Sequence, residues 1–302
     1  MVLILGIETS CDDTSLAIVQ NHKLIDVLTI SSSKLQNKWG GVVPEIASRN
    51  HEEHILPLLL ELLNKNNLSI NDITHIAYTD HPGLIGCLLV GKIFAKTLSF
   101  LLNKPLIPIN HVYGHIFSVG LTNKLIFPHL ALVVSGKTTS LFYVKSYSEI
   151  ITLDSATDNA LGEIYDKVAR RLGLDYPGGP IIDSLFDNEL KVKPLLKQKS
   201  NPAKLFSYGG ILSATLRLCE TESNKEYIAT VFQSWVINEL INKLKYWIEK
   251  TNTNCITVSG GVAANKYLRS RLNELKAPTL LVDLNYAGDN AAMIAYYASF
   301  LI

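Results

Sequence analysis

Apolar residues arrive along this chain in two rhythms: short unbroken runs that read as buried strands, and longer stretches at helical spacing. Leu3-Ile4-Leu5-Gly6-Ile7 is the first strand; the polar turn Glu8-Thr9-Ser10-Cys11-Asp12-Asp13-Thr14-Ser15 follows, and Leu16-Ala17-Ile18-Val19 returns. The same figure recurs as Leu130-Ala131-Leu132-Val133-Val134, Ser135-Gly136-Lys137-Thr138-Thr139 and Ser140-Leu141-Phe142-Tyr143-Val144. Helical spacing predicts helices over 46–63 after Pro44-Glu45, 84–102, 158–172 up to Gly173, 228–250 and 262–275. Ile256-Thr257-Val258 reads as a short buried strand and Ser259-Gly260-Gly261 as the turn after it. Strand and helix signals alternate, which predicts an α/β architecture. The repeated hairpin predicts two lobes, 1–128 and 129–302, with the last apolar helix packing back on the first.

Composition narrows the class. At 302 residues and 47% hydrophobic content the chain can bury a large core. A formal net charge of +1 excludes a global basic field, so a polyanion would be met by local patches or through a partner. Lys34, Lys38, Arg49, Arg170 and Arg171 are candidates for such phosphate contacts, and each also reads as a solvated surface charge. The lysine-rich stretch 191–204 reads as a solvated loop. Cys11, Cys87, Cys219 and Cys255 have no C-x-x-C spacing, which speaks against a cysteine zinc site and fits a reducing compartment. Met1-Val2-Leu3-Ile4-Leu5 runs straight into Gly6-Ile7-Glu8, too short for a secretory signal. The stretch 84–102 comes nearest to bilayer length, but Lys92 and Lys96 interrupt it. A cytoplasmic protein without a membrane partner is expected.

The strongest chemical signal is Asn110-His111-Val112-Tyr113-Gly114-His115, after the extended run Pro105-Leu106-Ile107-Pro108-Ile109. Histidines four apart lie on one helix face, close enough for two imidazoles to share a cation. Asp289, in Gly288-Asp289-Asn290 before the last apolar helix, is the candidate anionic third ligand. Taken alone, the pair reads more readily as two ordinary helical histidines than as ligands. Glu8, Asp12 and Asp13 cluster in the first turn, where carboxylates hold a hydrated cation, act as a base, or simply form a turn.

Ser259-Gly260-Gly261-Val262-Ala263-Ala264-Asn265 has the form strand, glycine turn, helix start, which offers free amides to an anion or a ribose. Tyr176-Pro177-Gly178-Gly179-Pro180 reads as a rigid loop with exposed amides, or as a helix stop. Two stretches fall short of a P-loop. Residues 86–93 lack the Ser/Thr after the lysine, and 131–138 lack the first glycine and lead into a hairpin. Asp166 and Arg170 have the spacing of a helical surface ion pair. His51-Glu52-Glu53-His54 is one residue short of H-E-x-x-H, and Val112 follows His111 where a zincin has glutamate, so a metallopeptidase is disfavoured.

Several motifs together carry a resemblance. They are Gly6-Ile7-Glu8-Thr9-Ser10-Cys11-Asp12-Asp13-Thr14; Gly40-Gly41-Val42-Val43-Pro44-Glu45-Ile46-Ala47-Ser48-Arg49; and Asn110-His111 with Gly114-His115. Gly162-Glu163 with Asp166-Lys167, the Tyr176 and Ser259 segments, and Asp289-Asn290-Ala291-Ala292-Met293-Ile294-Ala295 continue the series. In these residues and their order the chain resembles, from end to end, the TsaD family of tRNA N6-adenosine threonylcarbamoyltransferases.

The resemblance implies an actin-like ATPase (ASKHA) fold of two duplicated lobes around a nucleotide cleft. It implies transfer of threonylcarbamoyl from threonylcarbamoyl-adenylate to N6 of the adenosine 3′ of the anticodon, in tRNAs reading codons that begin with A, releasing AMP. His111, His115 and Asp289 fall on the family's metal positions, for one iron or zinc. Val133, Val134, Ser135, Gly136, Lys137, Asp166, Gly179, Asp183 and Asn265 fall on its substrate positions. Asp12 or Asp13 is the candidate catalytic base for the amine proton. Partners resembling TsaB and TsaE are implied for a bacterial member, or a homodimer in their place.

The chain also departs from the family pattern. Its second turn has Lys137 where the family's S-G-G-H-T has histidine, Tyr113 replaces the glutamate between the metal histidines, and G-P-G becomes His81-Pro82-Gly83. The F-S-F-S-G-L-K-T segment loses its lysine to Leu212, and the cysteine-threonine pair before Asp289 becomes Ala287-Gly288. These departures motivate the alternative of a catalytically impaired metal- and nucleotide-binding scaffold.

Overall fold

The computed structural model describes residues 2–36, 39, 41–195, 201–203 and 205–302. The chain begins with strands β1 (Leu3–Glu8), β2 (Asp13–Gln20) and β3 (Lys23–Ser31), then helices α1 (Ser33–Gln36) and α2 (Pro44–Lys65). β4 (His75–His81), α3 (Ile85–Leu102), β5 (Leu106–Asn110) and α4 (His111–Ser118) follow. Next come β6 (His129–Val134), β7 (Thr139–Val144), β8 (Ile150–Ser155), α5 (Leu161–Arg171), α6 (Gly178–Ser184), α7 (Gly209–Thr221) and α8 (Lys225–Lys250). β9 (Cys255–Ser259), α9 (Lys266–Leu272), β10 (Thr279–Leu281) and α10 (Ala291–Ala298) complete it. Two units form: residues 1–124 with 282–302, and residues 125–281. The first junction therefore falls four residues before the expected 128/129, and the terminal segment carrying α10 belongs with the first unit.

In the first unit the sheet order is β3-β2-β1-β4-β5, with β1, β2 and β3 antiparallel and β1, β4 and β5 parallel. Every residue of β1 is buried, because the sheet is covered on both faces. On one face Ile55, Leu58 and Leu62 of α2 and Ala95 of α3 pack with Leu5, Ile7 and Leu16. On the other, α10 lies so close that a Cβ on Gly6 would sit 2.6 Å from the Ala291 carbonyl oxygen. Only glycine tolerates that approach, and all eight residues of α10 are buried.

The second unit repeats the plan. Its sheet runs β10-β9-β6-β7-β8, again an antiparallel meander of three strands continued by two parallel ones. The hairpin expected at 130–144 is the β6–β7 pair. Helix boundaries move where side chains claim the backbone. The helix predicted from 158 starts at Leu161, because the Asp158 carboxylate accepts the Tyr208 and Gly209 N–H groups ahead of α7. The helix predicted over 262–275 becomes a 3₁₀ turn over Gly261–Ala264 and then α9, whose start Asn265 caps by accepting the Leu268 N–H at 2.8 Å. Tyr176-Pro177-Gly178-Gly179-Pro180 is not a free loop. Gly178 opens α6, where a proline in the first turn sacrifices no intrahelical hydrogen bond.

Candidate functional site

The histidine pair is placed by a helix start. Asn110, the last residue of β5, accepts the Val112 and Tyr113 N–H groups on its Oδ1, so α4 begins at His111. His111 and His115 then stand one turn apart on its buried face, their rings 4.7 Å apart edge to face. Gly114 lets α10 approach: a Cβ there would lie 2.9 Å from Ile294 Cδ1. Asn290 caps α10 through the Met293 N–H and leaves Asp289 at its mouth. Asp289 Oδ1 lies 3.1 Å from His115 Nε2 and 3.6 Å from His111 Nε2. Donor atoms of the three residues all lie within 4.8 Å of one another, and no other trio of this kind occurs among the described residues.

The far side of the His111 ring is occupied as well. His111 Nδ1 lies 3.0 Å from Glu8 Oε2 and 3.2 Å from Ser10 Oγ. Glu8 is fully buried, and its carboxylate accepts the Ser10 N–H and the Thr79 hydroxyl, each at 2.5 Å. Burial alone would raise the Glu8 pKa, but the charge and hydrogen bond of His111 outweigh it and hold the carboxyl below its ordinary range. When a cation displaces the Nε2 proton, Glu8 still accepts Nδ1–H, which keeps Nε2 directed toward Asp289 as the ligating atom. His115 differs: its Nδ1 is buried without a hydrogen-bond partner. Two neutral imidazoles and a carboxylate, with further positions left for ligands, suit a divalent iron or zinc.

The first turn separates its carboxylates. Glu8 faces His111, whereas Asp12 and Asp13 are half-buried at the tip. Asp13 Oδ1 has no hydrogen-bond partner, and burial, then the charges of Asp12, Asp289 and Glu8, push its pKa up to about 7 despite a hydrogen bond from Ser31. His51 braces the turn from behind. Its Nε2–H donates to the Cys11 carbonyl at 3.1 Å, so its Nδ1 accepts from the Thr14 hydroxyl at 2.7 Å. Burial pushes the His51 pKa down, so this ring is a neutral strut. His54 turns back onto the Asn50 carbonyl, which gives His51-Glu52-Glu53-His54 a structural role.

The second unit holds a pocket of about 480 Å³ whose walls include Gly136, Tyr165, Asp166, Gly179, Asp183 and Asn265. The packing is tight. A Cβ on Gly162 would meet the Ser135 carbonyl oxygen at 2.7 Å, and Gly260 takes φ +90° beneath the Val134 carbonyl. Asp166 Oδ1 accepts the Gly178 N–H at 2.8 Å, tying α5 to the start of α6; the ion pair seen on α5 joins Glu163 to Lys167. Five of the nine expected substrate residues, Gly136, Asp166, Gly179, Asp183 and Asn265, thus line one cavity.

Val133 and Val134 are core positions of β6, Ser135 is buried with its hydroxyl accepting the Thr138 N–H, and Lys137 is exposed at the hairpin tip. None of these four is among the walls. Of the surface cations, Arg49 pairs with Glu45 at 2.7 Å and Arg170 and Arg171 are exposed at the end of α5. Lys38, Gly40 and the Lys34 side chain lie outside the described residues, as do 196–200 and 204 of the lysine-rich stretch.

A family model described as TsaD, tRNA N6-adenosine threonylcarbamoyltransferase, matches residues 23–296. The chain belongs to the TsaD family. It is 45% identical over 306 residues to the tRNA N6-adenosine threonylcarbamoyltransferase of Ureaplasma parvum serovar 3, covering 99% of this chain and 95% of that one. The enzyme of the same name from Mycoplasmoides gallisepticum is also 45% identical, with 99% and 98% covered. Solved structures support the ASKHA fold. HypF from T. kodakarensis matches with a TM-score of 0.68 at 14% identity, over 99% of this chain and 47% of its own. The activator of 2-hydroxyisocaproyl-CoA dehydratase from Clostridium difficile, with bound ADPNP, matches with 0.57 at 14% identity, over 99% and 95%.

Two residues of this TsaD-family chain escaped sequence reasoning in their roles. The sequence groups Glu8 with the aspartates of the first turn, whereas the structure pairs it with His111. Gln233 of α8, fully buried, hydrogen-bonds to Tyr165, Asp183 and Asn265. A glutamine inside the otherwise largely apolar buried run 228–237 was the available signal.

Proposed function

We propose that this tRNA N6-adenosine threonylcarbamoyltransferase takes the threonylcarbamoyl group from threonylcarbamoyl-adenylate. The acceptor is the N6 amine of the adenosine 3′ of the anticodon, in tRNAs reading codons that begin with A, and AMP is released. The observation that carries this reading is the pairing, in one TsaD-family chain, of the His111–His115–Asp289 trio with a pocket lined by five expected substrate residues.

His111, His115 and Asp289 would hold one divalent iron or zinc, which as a Lewis acid supplies polarisation of a carbonyl or phosphoryl oxygen. Gly136, Asp166, Gly179, Asp183 and Asn265 bind the nucleotide part of the donor, with exposed Lys137 available to its phosphate. Between the two aspartates of the first turn we choose Asp13 as the base. A carboxyl with a pKa of about 7 takes up a proton near neutral pH more readily than an ordinary aspartate. TsaB-like and TsaE-like proteins are the partners we expect, and the cytoplasm, where tRNA is modified, is the compartment.

Incubating the metal-loaded protein with threonylcarbamoyl-adenylate and unmodified tRNA, with partner proteins supplied, is expected to yield threonylcarbamoyladenosine in digested nucleosides. Metal and nucleotide binding without any modified nucleoside would overturn the reading and favour a scaffold.

A further inference from the structure

The pocket of the second unit is organised from behind by a side chain that is not among its walls. Gln233 Oε1 accepts the Tyr165 hydroxyl at 3.1 Å and the Asn265 Nδ2–H at 2.7 Å, while Gln233 Nε2 donates to Asp183 Oδ1 at 3.0 Å. The amide has one satisfactory orientation. Flipped, its NH₂ would oppose the Asn265 NH₂ and its oxygen would oppose the Asp183 carboxylate. The other ends are anchored too: Asn265 Oδ1 accepts the Leu268 N–H at 2.8 Å, and Asp183 Oδ2 accepts the Lys266 N–H at 3.0 Å. Tyr165 remains a donor because burial, and then the charge of Asp183, push its pKa well up. Walls contributed by α5, α6 and the start of α9 therefore meet at one buried node.

We infer that Gln233 is a positioning residue for the nucleotide: it fixes the directions in which Asp183 and Asn265 present their remaining lone pairs and N–H to the ligand. This rests on the pocket being the nucleotide site proposed above. Leucine at 233 would leave the buried Tyr165 hydroxyl and Asn265 amide without their acceptor and would take from Asp183 Oδ1 its side-chain donor. Glutamate keeps the shape but cannot donate when ionised, and it sets a second carboxylate about 3.0 Å from Asp183. Two carboxylates at that distance share a proton as the pH falls.

The test is calorimetric titration of AMP into the full-length protein between pH 5.5 and 8, with Gln233→Leu and Gln233→Glu, and zinc binding followed in parallel. Wild type is expected to bind AMP. Gln233→Leu should weaken it by about tenfold or more. Gln233→Glu should be similarly weak at pH 8 and recover as the pH falls, a profile that a merely structural role would not produce. Zinc affinity should stay at the wild-type value in both. In turnover, KM for the donor should rise while kcat changes less than about threefold. If Gln233→Leu does not fold, the pH profile of Gln233→Glu decides. AMP binding by Gln233→Glu within twofold of wild type at every pH would overturn the role of Gln233. A wild-type protein that modifies tRNA without binding AMP would instead overturn the pocket as the nucleotide site, and this role with it.

Discussion

The two units share one strand order but build their sites from different materials. In the first, the candidate metal ligands are side chains: two imidazoles and a carboxylate, brought together by helix caps and by glycines that let α10 approach. In the second, the sheet lends its hairpin tip and glycine turns, and the side chains that matter converge on a buried amide. A site made of ligating side chains is lost by deleting any one of them. A pocket whose walls combine glycines with many separate side chains loses affinity by degrees. The same duplicated plan thus yields one brittle site and one graded site.

The largest expected effect probes the brittle site. His111→Ala should abolish stoichiometric metal binding, measured by elemental analysis of the purified protein, and lower threonylcarbamoyl transfer by at least ~100-fold. AMP affinity should remain within twofold of wild type. A matching loss of AMP binding would erase the contrast between the two sites.

The units should also differ in the sign of their pH dependence. Asp13, raised to about 7, keeps its proton in the folded state while the unfolded chain releases it near 3.8. The stability it contributes is complete below about pH 3.8 and is lost as pH rises to about 7. In the metal-free protein Asp13→Asn should therefore stabilise at pH 7.5, by at most ~4 kcal/mol, with no gain at pH 3.5. His129 in the second unit is buried and donates Nδ1–H to the Ile126 carbonyl, and burial lowers its pKa to about 4. Its contribution is complete above about pH 6.5 and is lost as pH falls to about 4, at most ~3 kcal/mol. Denaturant titrations of Asp13→Asn and His129→Asn across pH 4 to 8 should change stability with opposite slopes. Parallel slopes would refute the assignment.

A smaller effect tests how the brittle site is supported. Glu8→Gln keeps an acceptor near His111 Nδ1 but removes the charge, and should weaken zinc or iron binding by about 10–100-fold without unfolding the protein. Competition with a chromophoric chelator measures it. An unchanged affinity would show that the trio needs no support from behind.

Much of this was legible in the residue order. The hairpins came from unbroken apolar runs, the histidine pair from helical spacing, and Asp289 from its place before an apolar helix. What escaped depended on contacts between residues far apart in the chain. Glu8 and His111 are separated by 103 positions, and no local pattern couples a strand-end glutamate to a helical histidine. Gln233 and Asp183 are separated by 50. Asp158 looked like part of a helix because its periodicity continues into α5, yet its carboxylate serves the start of α7, 50 and 51 positions later. Val133 and Val134 sit beside the pocket in sequence, but the pleat of β6 sends them to opposite faces of the sheet, and both are buried there.

The proposed division between a metal centre in one unit and a nucleotide pocket in the other is tested most directly by hydrogen–deuterium exchange of the full-length protein. Zinc alone should protect peptides covering 110–118 and 286–292. AMP alone should protect peptides covering 161–184 and 260–268. AMP that leaves 161–184 and 260–268 unprotected, or zinc that leaves 110–118 unprotected, would contradict the account.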